Sequence, residues 1–167
     1  MANLYLTHKY NRGCPFCFAR KVLKESGGDI DEILTIEEVK TLINHFPNQF
    51  REFGILGGEP FLYPHLGELL ELLWQNNIVP KIFTSATNPM PESIKNIDLM
   101  KNPVNFIVNI GTRDTYSDEK YNNLAQFFSK FNVVSSLSYT IGRFNSQSYK
   151  KSFLLGFETL VFFEVLR

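Results

Sequence analysis

Thr7-His8-Lys9-Tyr10-Asn11-Arg12-Gly13-Cys14-Pro15-Phe16-Cys17 is the stretch whose reading decides the fold. It follows the apolar run Leu4-Tyr5-Leu6 of a first predicted strand, Asn3 to Lys9, and its cysteines fall in the loop after that strand. Both cysteines of the chain lie in it, spaced C-x-x-C. Tyr10 stands four residues before Cys14, where a third cysteine would complete C-x-x-x-C-x-x-C. Thiolates are soft ligands that suit iron–sulfur clusters and zinc. Pro15 and Phe16 favour a tight ligand loop over a helix interior. Two buried apolar thiols are the plainer alternative, and a dithiol working by reversible oxidation is another. Zinc would need further partners, and no second C-x-x-C or H-x-x-x-H exists.

Working outward, the next marked feature is Gly57-Gly58-Glu59-Pro60, which ends a second predicted strand at Phe53 to Leu56. Glycines there let the backbone approach a ligand closely. Pro60 fixes the turn, and Glu59 orients the loop or pairs with a basic residue. Ligands of open parallel sheets sit at the carboxyl ends of the strands. Ser85, Asn88 and Asn109 fall at or near such ends, with Arg113 a further candidate.

Together the two motifs resemble the radical S-adenosylmethionine superfamily. The likeness rests on the cysteine spacing, the apolar strand before it, Asn11 directly after the first ligand position, and the aromatic Phe16 before the last cysteine. It rests equally on the Gly-Gly-Glu-Pro, where that family binds the amino group of S-adenosylmethionine. The resemblance implies an α/β fold, a partial (β/α)6 barrel with a parallel sheet. It implies a 4Fe–4S cluster with Cys14 and Cys17 as the second and third metal ligands. It also implies S-adenosylmethionine held near Gly57, Gly58, Glu59, Pro60, Ser85, Asn109 and Phe16, and its reductive cleavage to a 5′-deoxyadenosyl radical. An active member takes its electron from a donor such as a flavodoxin or ferredoxin. Polar groups at Ser85, Asn88 and Asn109 would meet the ribose or the methionyl carboxylate; Phe16 and Phe18 flank adenine or pack in the core.

The departure is Tyr10. A neutral phenol with a pKa near about 10 is a poor replacement for a thiolate. His8 is the other residue near enough in sequence to complete the site, since imidazole ligates iron in some centres. Three readings therefore stand: a cluster-dependent enzyme impaired at its first ligand, a degenerate nucleotide- or peptide-binding module on the same fold, and a C-x-x-C thiol redox protein.

Composition sets the bounds. A chain of 167 residues is expected to be one domain over 1–167. The formal net charge is zero, so overall charge gives no case for nucleic acid or an anionic membrane. Five Lys or Arg and no acid fall between Met1 and Lys24. They read as a solvated helix face, or as Lys9, Arg12, Arg20 and Lys21 offsetting an anionic cluster. Two cysteines make no disulfide scaffold. No signal peptide and no apolar run of about 18 residues stand out, so the cytoplasm is the expected compartment.

The remaining elements alternate. A helix follows the cysteine loop, and Ser26-Gly27-Gly28-Asp29 breaks it. Thr35-Ile36-Glu37-Glu38 is a capping box opening a helix that Pro47 stops. Leu66, Leu69, Leu70 and Leu73 place a helix between Pro64 and Asn76. Ile78 to Ser85 reads as a third strand, Pro91 to Pro103 as a helix, and Val104 to Ile110 as a fourth strand. Asp118 is expected to cap a helix carrying Tyr121, Leu124, Ala125 and Phe128. Asn132 to Ile141 reads as strand five, Ser148 to Leu155 as a short helix, and Thr159 to Val165 as a sixth strand. No helix follows it to cover an edge strand, so a truncated or minimal version of the domain is expected.

Overall fold

The computed structural model describes residues 2–11, 17, 33–110, 116–131 and 134–139. Among these residues five strands form one sheet in chain order, every neighbouring pair parallel. They are β1 (Ala2–Tyr5), β2 (Glu52–Leu56), β3 (Val79–Thr84), β4 (Asn105–Ile110) and β5 (Ser135–Tyr139). The helices between them are α1 (Ile36–His45), α2 (Leu66–Gln75), the single turn α3 (Glu92–Lys95) and α4 (Asp118–Phe131). A 3-10 turn spans Pro60–Leu62. This is the α/β parallel architecture expected, consistent with a partial barrel. The expected sixth strand, and the helices predicted after the cysteines and at Ser148 to Leu155, lie outside the described residues.

The register puts Leu4, Ile55, Ile82 and Phe106 in one row across the sheet. All four are buried, and they belong to one core with Val39, Leu69, Leu70, Leu124 and Phe127. Phe106 stacks edge-on against Phe127 at 4.9 Å and tilts over Phe131 at 5.1 Å. Residues of the opposite parity on β4, Asn105, Ile107 and Asn109, are half-buried or exposed. On β2, Phe53, Gly54 and Ile55 are buried in succession, as its unbroken apolar run predicts.

Local chemistry explains the boundaries. The capping box at Thr35 forms: Glu38 N–H donates to Thr35 Oγ1 at 3.3 Å, and Thr35 N–H donates to the Glu38 carboxylate at 2.8 Å. Three expectations change. β1 stops at Tyr5 rather than Lys9, because Thr7 leaves the ladder for an antiparallel bridge to Ile33. The helix after Pro91 lasts one turn, and a separate turn at Asp98 follows it. The Asp98 carboxylate accepts from Met100 N–H at 3.1 Å and its carbonyl from Asn102 N–H at 2.8 Å. Asp118 is the first helical residue of α4; the Ser117 hydroxyl accepts from Lys120 N–H at 3.4 Å in the capping role. None of the described helices is long and apolar enough to cross a membrane.

Candidate functional site

The site begins where β1 ends. Leu6 N–H still donates to the Leu56 carbonyl at 2.8 Å, and Leu34 N–H donates to the Leu6 carbonyl at 2.9 Å. Lys9 N–H donates to Thr7 Oγ1 at 3.1 Å, turning the chain toward β2. Gly58 N–H then donates to the Thr7 carbonyl at 2.6 Å, and Glu59 N–H to the Lys9 carbonyl at 2.8 Å. The glycines are required for this approach. A Cβ at Gly58 would fall inside the contact radius of the Lys9 carbonyl and 2.9 Å from the His8 carbonyl oxygen. A Cβ at Gly57 would stand 3.0 Å from the Thr7 carbonyl oxygen. On that side the close neighbour is the lead-in to the cysteines.

Glu59 ties this pair of loops to a third. Its carboxylate is buried and accepts four hydrogen bonds. One oxygen takes Phe61 N–H at 3.2 Å and the Thr84 hydroxyl at 2.5 Å. The other takes Ser85 N–H at 2.9 Å and the Ser85 hydroxyl at 2.6 Å. Among the described residues its partners are amides and hydroxyls rather than a cation. Four donors on one carboxylate fill its acceptor sites and offset its desolvation. Glu59 is therefore a brace between the ends of β2 and β3. Pro60 follows it as the first residue of the 3-10 turn and is also buried.

The network continues past Ser85. With its proton on Glu59, the Ser85 hydroxyl accepts from Thr87 at 2.9 Å. Ala86 between them has a positive φ of 51° and donates its N–H to Thr84 Oγ1 at 2.9 Å. Asn88 accepts a hydrogen bond from the side-chain amide of Asn11. From α4, Asn123 donates to the Thr87 carbonyl at 3.1 Å and Lys120 Nζ to the Asn11 carbonyl at 3.3 Å. Hydrogen bonds thus run from Thr7 and Lys9 through Gly58, Glu59, Ser85 and Thr87, and back through Asn88 and Lys120 to Asn11. The ring encloses the carboxyl ends of β1 to β3. Within it, Asn11 Oδ1 and Asn88 Nδ2 are buried and, among the described residues, have no hydrogen-bond partner. Whichever way the two amides are turned, one acceptor and one donor remain open.

The predicted residues divide. Gly57, Gly58, Glu59, Pro60, Ser85 and Asn88 come together in the ring or at its edge. Asn109 is half-buried near the carboxyl end of β4. Tyr10 is 41% exposed, and its backbone is held on both sides, through the Lys9 and Asn11 carbonyls. The His8 ring lies 5.2 Å from that of Tyr5. Cys17 is a free, exposed thiol. Burial first, and then the charge of Cys17, push the Tyr5 phenol above its ordinary range. Cys14, Phe16, Phe18 and Arg113 lie outside the described residues. Sequence reasoning missed Thr84, Lys120 and Asn123. Thr84 precedes the polar Ser85–Asn88 run and was legible as its continuation; the two helix residues carry no local signal.

A family model described as the Radical SAM superfamily matches residues 5–129. That span contains the cysteine pair, the Gly-Gly-Glu-Pro turn and most of α4, and the chain belongs to this superfamily. No curated protein matches the chain.

Proposed function

We propose that this superfamily member binds S-adenosylmethionine in the ringed mouth and stands one thiolate short of the radical reaction. The supporting observation is the bonding of Gly58 and Glu59 to Thr7 and Lys9. It sets the Gly-Gly-Glu-Pro turn against the segment that leads into Cys14 and Cys17.

Superfamily members generally hold a 4Fe–4S cluster and S-adenosylmethionine, and the cluster supplies the electron that splits the sulfonium. A cluster on three protein thiolates does not match this donor set. The chain has two cysteines, and position 10 carries an exposed phenol. Among the described residues no three His, Cys, Asp or Glu side chains converge on a metal position. Cys14 and Cys17 are the two thiolates it can offer to iron, and an electron donor such as a flavodoxin or ferredoxin serves a chain in which the third is restored.

The nucleotide is a better match. The unpartnered donor and acceptor of Asn88 and Asn11 are buried at the mouth, where a polar ligand would satisfy them. In this reading the Gly57–Gly58 backbone faces the methionyl amine, Ser85 and Asn109 meet ribose or carboxylate, and Phe16 flanks adenine. Glu59 and Pro60 hold the turn rather than touch the ligand.

Anaerobic iron–sulfur reconstitution of the chain and of Tyr10→Cys tests the proposal. The variant should hold more iron and sulfide per chain, show a broad absorbance shoulder near about 400 nm, and release 5′-deoxyadenosine under reduction. Equal cluster content and equal cleavage in the two proteins would defeat it.

A further inference from the structure

Three surface lysines of the helices and turns are answered by acids one turn earlier. Lys40 pairs with Glu37 at 2.7 Å, Lys95 with Glu92 at 2.7 Å, and Lys101 with Asp98 at 3.7 Å. Lys120 has no such acid. One turn before it stands Ser117 and one turn after it Asn123. It is half-buried, and its ammonium donates to the Asn11 carbonyl at 3.3 Å. Among the described residues no carboxylate lies within ion-pair distance of it. Glu59, the acid buried in the ring, has both oxygens committed elsewhere. An ammonium has three donors, so two remain for a ligand. Withdrawing a cation from water without a counter-ion is costly, and an anion entering the mouth would offset that cost.

S-adenosylmethionine carries one anionic group, its methionyl carboxylate. In a chain with a full cluster, that carboxylate and the amine would together chelate the open iron. Two cysteines leave the carboxylate in need of another partner. We infer that Lys120 is a metal-independent carboxylate receptor of the mouth, bonded at once to the Asn11 carbonyl and to the methionyl carboxylate. This rests on the reading that the mouth binds S-adenosylmethionine. It extends that reading to a chain holding no iron and assigns the residue that makes it possible. The site lies at the first turn of α4, where the helix meets both Asn11 and the loop after β3.

The test is calorimetry on the full chain, purified metal-free, with S-adenosylmethionine and with its decarboxylated analogue. The analogue keeps the nucleoside, sulfonium and amine and lacks only the carboxylate. The unmodified chain should prefer S-adenosylmethionine by at least about tenfold, as expected of a hydrogen bond between charged groups. Lys120→Met should abolish the preference while leaving the affinity for the analogue within about twofold. Lys120→Arg should retain it. A Lys120→Met chain that loses both ligands equally, or neither, overturns the role of Lys120 alone. Failure of the unmodified metal-free chain to bind either ligand overturns the inference; if the reconstituted Tyr10→Cys chain then binds and cleaves S-adenosylmethionine, the reading of the mouth survives.

Discussion

At the amino ends of the strands, the turns before β2 and β3 place Asn48 and Asn77 at φ of 61° and 57°. At the carboxyl ends, the turn after β3 places Ala86 at φ of 51°. The backbone conformation is nearly the same and its setting is opposite. Asn48 and Asn77 are exposed, and Asn is among the side chains that visit the left-handed region most readily. Ala86 is buried and has no such aptitude. It is held there by its amide bond to Thr84, within the network that Glu59 braces. Around the amino-end turns lies a cavity of about 150 Å³ lined by Ile43, Asn44, Phe46, Pro47, Asn48, Phe50, Asn76 and Ile78. Around the carboxyl-end turn lie buried carboxylate, hydroxyl and amide groups. Strain in a buried turn persists only where its surroundings over-determine it, and such turns cluster at functional sites. One end of the sheet therefore reads as scaffold and the other as a preorganised mouth.

Four substitutions sharpen or break this contrast, and urea midpoints measure each. Gly58→Ala should have the largest effect, about 3 kcal/mol of lost stability, because its Cβ meets a backbone carbonyl that cannot rotate away. A loss below about 1 kcal/mol would mean the contact between the two loops is looser than the hydrogen bonds imply. Glu59→Gln should cost about 2 kcal/mol, since its amide nitrogen turns a donor toward donors at Ser85 or Thr84. A neutral result would remove Glu59 as the brace. Ala86→Gly should stabilise the fold by about 0.5–1 kcal/mol: relief of the left-handed strain outweighs the entropy a glycine adds to the unfolded chain. Asn77→Gly should stay within about 0.5 kcal/mol of the parent. If the last two variants respond alike, the carboxyl-end turn stores no more strain than its counterpart.

Tyr10→Cys belongs at the bottom of the same scale for stability, within about 0.5 kcal/mol, because the exposed phenol leaves no buried cavity when removed. Its effect on iron content should be large all the same. That separation of stability from loading is what a ligand position on a braced backbone predicts.

Much of this protein was legible from residue order alone. The capping box at Thr35, the leucine stripe of α2 and the apolar run of β2 each carry a local period or a short-range bond, so they could be read before any fold existed. Asp98 shows the limit. The helix that the spacing of Pro91 and Pro103 favoured gave way to one turn and a separate turn at Asp98, whose carboxylate takes the Met100 amide and whose carbonyl takes that of Asn102. Likewise, Phe127 and Phe131 of α4 extend its buried face beyond the stripe read from sequence, because Phe106 rises to meet them from β4.

The site divides along the same line. Sequence by itself determined the chemistry available: two thiolates, a phenol where a third would stand, and a glycine pair followed by Glu and Pro. Tertiary structure alone decided how those pieces meet. It turned Glu59 from a possible ligand-facing acid into a brace with four donors, closed the ring through Asn11 and Asn88, and brought Lys120 to the mouth from 109 residues away. The physical reason is range. Caps, strand runs and ligand spacings act over a few residues, whereas satisfying a buried carboxylate or exposing an unanswered cation depends on neighbours that only the folded sheet assembles.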